Sequence, residues 1–217
     1  PSVLTLRFSF YDTFLFGQNL RFVGLENFTN LFTSGSYHLS LALTFAFSAV
    51  VVIGTMISSL AIAFLIDRVK RGKAAYLIAA IWPYAVPPAV GAMVFLFLTN
   101  PSAGVYTHYL QQWFGVEVSW YTNGLQAFSL VAIVAIWKQI GFNIIFMVAA
   151  LNKVPKTLKE AARLDGVSTL QTFFRVHVPL IAPTLVFLVV MNTIYAFFET
   201  FAFIDLMTQG GPNGATN

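Results

Sequence analysis

Two groups of residues in this sequence carry chemistry beyond contact with an apolar environment. The first is Glu160, Ala161, Ala162, Asp165 and Gly166, followed by Val176-His177-Val178-Pro179. Two carboxylates beside two minimal side chains let another surface approach closely and accept its hydrogen bonds. Lys153, Lys156, Lys159, Arg163 and Arg175 supply donors around them. That is the chemistry of docking. The second group lies inside apolar runs: Lys138, Gln139 and Asn143 in one, and Asn192, Tyr195, Glu199 and Thr200 in another. A charge at the centre of a bilayer costs at least ~2.5–3.5 kcal/mol on insertion scales, so Lys138 must face a partner or water. By helical rise, Lys138 and Glu199 differ in depth by roughly 8 Å. A structural ion pair that fixes helix packing and a polar lining for a solute path both fit that spacing.

Catalytic and metal chemistry find no support. His38, His108 and His177 are too scattered for a metal cluster, and with no cysteine there is no thiolate nucleophile or disulfide. The glycine-rich loop with Lys-Ser/Thr that cradles nucleotide phosphates is absent, so the chain should not hydrolyse ATP. The net charge of +4 does not indicate nucleic acid, because most of the cations lie in two short loops.

The elements that position these residues are membrane spans. The chain has 217 residues, of which 58% are hydrophobic and 9% charged. Soluble domains carry about 25% charged residues, so the bilayer is the solvent and the fold class is all-α, a polytopic membrane helical bundle. Runs at about 40–66, 74–98, 125–150 and 181–205 each meet the ~20 residues that a span requires. Nine of the twelve Lys and Arg lie in two loops, one holding Arg68, Lys70, Arg71 and Lys73, the other running from Lys153 to Arg175. The loop at 99–124 has none. Basic loops stay cytoplasmic, which puts both ends of the chain outside. The domain reading is therefore an outer segment at 1–39 with the remnant of a preceding span, a transmembrane domain at 40–205 that includes a cytoplasmic loop at 151–180, and a truncated outer loop at 206–217. The start at Pro1 and the end in Gly210-Gly211-Pro212-Asn213-Gly214 are read as a chain with at least one span lost on each side.

Within this frame, Pro83, Pro87 and Pro88 sit in the middle of the second span. Each removes an N–H donor, and broken backbone at that depth is tolerated only inside protein or beside a water-filled cavity. They predict a kink or a hinge. Small residues along the first span, among them Ala46, Ala49, Gly54 and Ser58, predict burial against other helices. Tyr106, Tyr109, Trp113, Trp120 and Tyr121 form an interfacial aromatic belt or a docking surface. Phe22–Phe28 reads as a short amphipathic helix on the outer surface. In the cytoplasmic loop, a first helix from about 156 to 164 should end at Gly166 in the left-handed cap position. Ser168-Thr169-Leu170-Gln171 reads as a capping box that opens a second.

The pattern Glu160-Ala161-Ala162, three residues, Gly166, nine residues, Val176, then Val178-Pro179 resembles the cytoplasmic loop of the inner-membrane permeases of binding-protein-dependent ABC importers. The family commonly has Ile and Leu where Val176 and Val178 stand, and often Ala where Val167 stands. The likeness covers nearly the whole chain and is to the carbohydrate branch. Within it, Trp82–Pro88, Trp137-Lys138-Gln139 and Asn192–Phe201 look most like the A-type permease subunits of sn-glycerol-3-phosphate importers.

The resemblance implies about six spans per subunit, of which four are present here. It implies as partners a second homologous permease, two cytoplasmic ATPase subunits that bind ATP and Mg, an extracytoplasmic solute-binding protein, and the lipid of a bacterial inner membrane. It makes Glu160, Ala161, Ala162, Asp165 and Gly166 the ATPase-coupling helix. Lys138, Gln139, Asn143, Tyr195 and Glu199 are then candidates for the solute path, and Pro83, Pro87 and Pro88 for the hinge. The expected solute is sn-glycerol-3-phosphate or a related glycerophosphodiester, with a neutral mono- or oligosaccharide as the alternative. From a different class, an ion-coupled secondary transporter would use Lys138 and Glu199 as its coupling pair and need no ATPase.

Overall fold

The computed structural model describes residues 2–14, 19–155, 157–158, 166–212 and 214–216. The described chain divides into two compact units, residues 1–43 and 44–217.

In the first unit, helix α1 (Ser2–Phe8) leads into an antiparallel hairpin of β1 (Tyr11–Phe14) and β2 (Asn19–Phe22), with Tyr11 opposite Phe22. Helix α2 (Glu26–Thr33) follows. The amphipathic helix expected over 22–28 therefore begins only at Glu26, because Phe22 closes a strand and Gly24, at φ +58°, turns the chain between the two elements. The Asn27 amide donates to the carbonyls of Ser9 and Tyr11 at 3.0 and 3.2 Å, tying α2 to the hairpin.

The long helix α3 (Gly35–Arg68) begins in the first unit and continues through the second. Next come α4 (Lys73–Ala85), α5 (Pro88–Leu98), α6 (Val105–Phe114) and α7 (Gly124–Asn152). Beyond the cytoplasmic loop the backbone runs through α8 (Thr169–Thr172), a π-helical turn (Phe173–His177), α9 (Val178–Leu180), α10 (Ala182–Phe198) and α11 (Phe201–Met207). Among the described residues, three stretches are long and apolar enough to cross a membrane: Gly35–Arg68, Gly124–Asn152 and Ala182–Met207. The second of the expected spans is broken. Its halves, α4 and α5, meet at 96°.

The central helix is α7, with 61% of its most apolar window buried, against 28% for α3 and for the last span. Of the small residues along α3, Ser48, Ser59 and Ala63 are buried, in one stripe with Val51 and Thr55 spaced by three or four residues, whereas Ala46 and Ala49 are exposed and Gly54 and Ser58 half-buried. That spacing is one face of a helix, and the other faces are left to lipid or to other chains. Helix α4 runs antiparallel to α7 and makes the most extensive contact of any helix pair. Gly141 permits it, since a Cβ there would lie 2.8 Å from both the Ile81 carbonyl oxygen and Tyr84 Cβ. At the basic end, Lys73 Nζ donates to Asn152 Oδ1 at 3.2 Å, joining the two cation-rich loops on one side as the charge distribution requires.

Two apolar cores are stacked along α7. One holds Phe47, Val51, Val131, Ala135, Ala196 and Phe203. The other holds Ala63, Ile66, Ile144, Met147, Leu151 and Leu188. Between them lies a layer of buried polar side chains: Thr55 and Ser59 of α3, Lys138, Gln139 and Asn143 of α7, and Asn192 of α10.

Candidate solute path and coupling site

The polar layer is built around a reciprocal amide pair. Asn143 Nδ2 donates to Asn192 Oδ1 at 2.9 Å, and Asn192 Nδ2 returns a bond to Asn143 Oδ1 at 2.8 Å. Gln139 Nε2 is a second donor to Asn192 Oδ1 at 3.2 Å, and Asn143 Nδ2 also reaches the Gln139 carbonyl at 3.1 Å. Gln139 and Asn143 are four residues apart and so share a face of α7. Both asparagines are fully buried. One turn toward the outer side, the Tyr195 hydroxyl donates to the Ala135 carbonyl at 3.2 Å. Ser59 Oγ reaches the Ile140 carbonyl from α3 at 3.5 Å, and Thr55 Oγ1 is buried with no partner among the described residues. Polar side chains at bilayer depth mark solute paths or interhelical clamps, and this arrangement binds α3, α7 and α10 together.

Lys138 lies at the edge of that layer. Its ammonium donates to the Tyr84 carbonyl at 3.0 Å and stands 5.2 Å from the centroid of the Tyr84 ring. Glu199 is exposed at the C-cap of α10. The five path candidates thus divide. Gln139, Asn143 and Tyr195 are engaged with α7 and α10, Lys138 with the broken span, and Glu199 faces outward. Asn192 is the residue on which the cluster converges. Its signal in the sequence was an amide in an apolar run, three residues before Tyr195.

The three prolines surround the break. Pro83 lies inside the last turn of α4, where the Val86 N–H returns to its carbonyl at 3.2 Å. Pro87 is the N-cap of α5 and Pro88 its first residue, a position where a missing N–H costs nothing within that helix. Trp137 fills the elbow. Its ring packs edge-on against Trp82 of α4 (centroids 6.4 Å apart) and Phe95 of α5 (5.1 Å), and Gly91 faces it from α5.

In the second basic loop, Glu160, Ala161, Ala162 and Asp165 lie outside the described residues, as does most of the helix expected before Gly166. Gly166 itself is left-handed, at φ +69°. Ser168 forms the expected capping box: its Oγ accepts from the Gln171 N–H at 3.3 Å, and its own N–H donates to Gln171 Oε1 at 3.2 Å. The π-helical turn after it places Phe173 against Phe64 of α3, with ring centroids 4.4 Å apart, so the loop's return path is anchored on the span core.

On the outer side, Tyr106, Tyr109, Trp113 and Tyr121 are exposed, whereas Trp120 is buried and donates to the Thr99 carbonyl at 2.9 Å. Trp120 is therefore part of the loop's own packing. Among the described residues no group of three His, Asp or Glu side chains could hold a metal ion.

A helical bundle with basic loops on one side, a polar layer at mid-depth and a span broken at prolines defines a polytopic membrane transport subunit. The chain belongs to the family of binding-protein-dependent transport system inner membrane components, whose model matches residues 51–216. It is 44% identical over 216 residues to the sn-glycerol-3-phosphate transport system permease protein UgpA of Salmonella choleraesuis, covering 100% of this chain and 73% of that one. Its fold is similar to that of a bacterial ABC transporter involved in the import of the acidic polysaccharide alginate, with a TM-score of 0.82 at 22% identity over 99% of this chain and 72% of that one. A second alginate transporter structure, in complex with an alginate pentasaccharide-bound periplasmic protein, matches with a TM-score of 0.78 at 23% identity over 89% of this chain and 67% of that one. The protein is a multi-pass component of the cytoplasmic membrane. It is a transport subunit rather than an enzyme, and transport in this family depends on a binding protein.

Proposed function

We propose that this chain forms part of the translocation path of an ATP-driven importer for sn-glycerol-3-phosphate or a related glycerophosphodiester. The observation that carries the reading is 44% identity along the whole chain to a permease of that solute. The assembly comprises a second homologous permease, two ATPase subunits that bind ATP and Mg, and an extracytoplasmic solute-binding protein. Glu160, Ala161, Ala162, Asp165 and Gly166 dock in the ATPase, and the capped helix from Thr169 passes its movement to the spans. Closure of the ATPase pair rocks the spans about the break at Pro83, Pro87 and Pro88. Lys138, Gln139, Asn143, Tyr195 and Glu199 lie along the solute path. A neutral saccharide is the second reading, favoured by one feature: the Lys138 ammonium already has the Tyr84 carbonyl as a partner.

The test is ATPase activity of the full-length permease reconstituted with its partner permease, ATPase and binding protein. Stimulation by glycerol-3-phosphate alone supports the proposed solute. Stimulation by a neutral disaccharide alone keeps the importer and removes the phosphate solute. Uptake driven by an ion gradient without ATP would replace the importer with a secondary transporter. Gly166→Pro or Glu160→Lys should lower ATPase association and transport while membrane insertion stays intact.

A further inference from the structure

Pro88 has no N–H, and in a continuous helix that N–H would bond the carbonyl four residues back, at Tyr84. The proline thus leaves the Tyr84 oxygen without its helical donor at a depth where water is scarce and an unsatisfied carbonyl costs several kcal/mol. The same oxygen belongs to the last turn of α4, the negative end of that helix's dipole. The Lys138 ammonium occupies this point, 3.0 Å from the oxygen and 5.2 Å from the Tyr84 ring centroid. Gly141, one turn along α7, lets the last turn of α4 sit directly on α7, and Trp137 touches both limbs of the 96° bend.

We propose that Lys138 is the positioning residue of the elbow. Its ammonium replaces the donor that Pro88 removes, caps α4, and with Trp137 holds the broken span bent. It acts on transport through the angle between α4 and α5 rather than by contact with solute. For Lys138 this departs from the path role given above, and the distance measurement that tests it is made without solute.

In the full-length, assembled transporter with any other cysteines replaced, Tyr76→Cys and Phe97→Cys, at side chains 58% and 68% exposed, place spin labels on the two limbs. By helical rise and the observed bend, the labelled backbones should be roughly 20 Å apart, against roughly 30 Å for a continuous helix. Without solute, Lys138→Met should deplete the short-distance population and Lys138→Arg should retain it. An unchanged distribution in Lys138→Met, with a raised KM for solute, would overturn the proposal in favour of direct solute contact.

A double-mutant cycle provides a second measurement. In a Pro87→Ala, Pro88→Ala background the chain can continue helically past Val86 and bring an N–H to the Tyr84 carbonyl. Lys138→Met should then accelerate unfolding about tenfold less in that background than in the native one, the scale of a hydrogen bond to a charged group. Equal acceleration in both backgrounds would refute the capping role.

Discussion

Replacing Asn192 by Leu removes three hydrogen bonds at once: the two exchanged with Asn143 and the one from Gln139. The volume is nearly kept, so the loss is polar rather than steric. Side-chain hydrogen bonds between membrane helices average ≈ 0.6 kcal/mol and reach ≈ 1.7. Three such bonds give a cost of about 2 kcal/mol, rising toward about 5 if each is worth the upper value. The Asn143 amide, fully buried, is left with only the Gln139 carbonyl. Asn143→Leu loses the same reciprocal pair. Because the two variants destroy two bonds in common, the double variant should cost less than the sum of the singles by about 1–3 kcal/mol. Replacing both partners with apolar groups also avoids stranding either one. The assay is unfolding of the assembled transporter in mixed micelles for the four members of the cycle. Additivity within about 0.3–0.5 kcal/mol would refute the reasoning, because the amides would then not depend on one another.

Gly141→Ala should destabilise the chain by about 1–3 kcal/mol, the scale of overpacking, since the new Cβ meets the Ile81 backbone and Tyr84 Cβ at 2.8 Å. Gly54→Ala should be milder despite a nominal 2.5 Å approach, because there the obstacle is the Ile136 Cδ1 methyl at the end of a flexible side chain. Thermal unfolding of the two variants side by side tests the ranking, and equal losses would contradict it. Ser168→Ala removes the cap of the helix after the coupling segment, at a cost of about 0.5–2 kcal/mol. Solute-stimulated ATPase activity should fall more than basal activity, and an equal fall in both would argue that the capped helix transmits nothing.

The sequence by itself determined the class of fold and the family. Hydropathy is a sum over neighbours in the chain, so four apolar runs and two basic loops can be read without knowing what touches what. The Ser168 capping box and the left-handed Gly166 were equally legible, since each depends on residues within a single turn. The Phe22–Phe28 stretch departs from the helix its composition suggests because Phe22 pairs with Tyr11, eleven residues back, in a hairpin. Prolines marked where the second span is weak, but only the tertiary structure shows a 96° elbow, with Trp137 between Trp82 and Phe95 and α4 close against α7 at Gly141. The partners of Lys138 and Asn192 were decided the same way. In the sequence, Lys138 was a cation in an apolar run with Glu199 as the nearest anion along the span. In the fold its donor meets a backbone carbonyl 54 positions earlier, exposed by a proline whose consequence appears only where another helix crosses it.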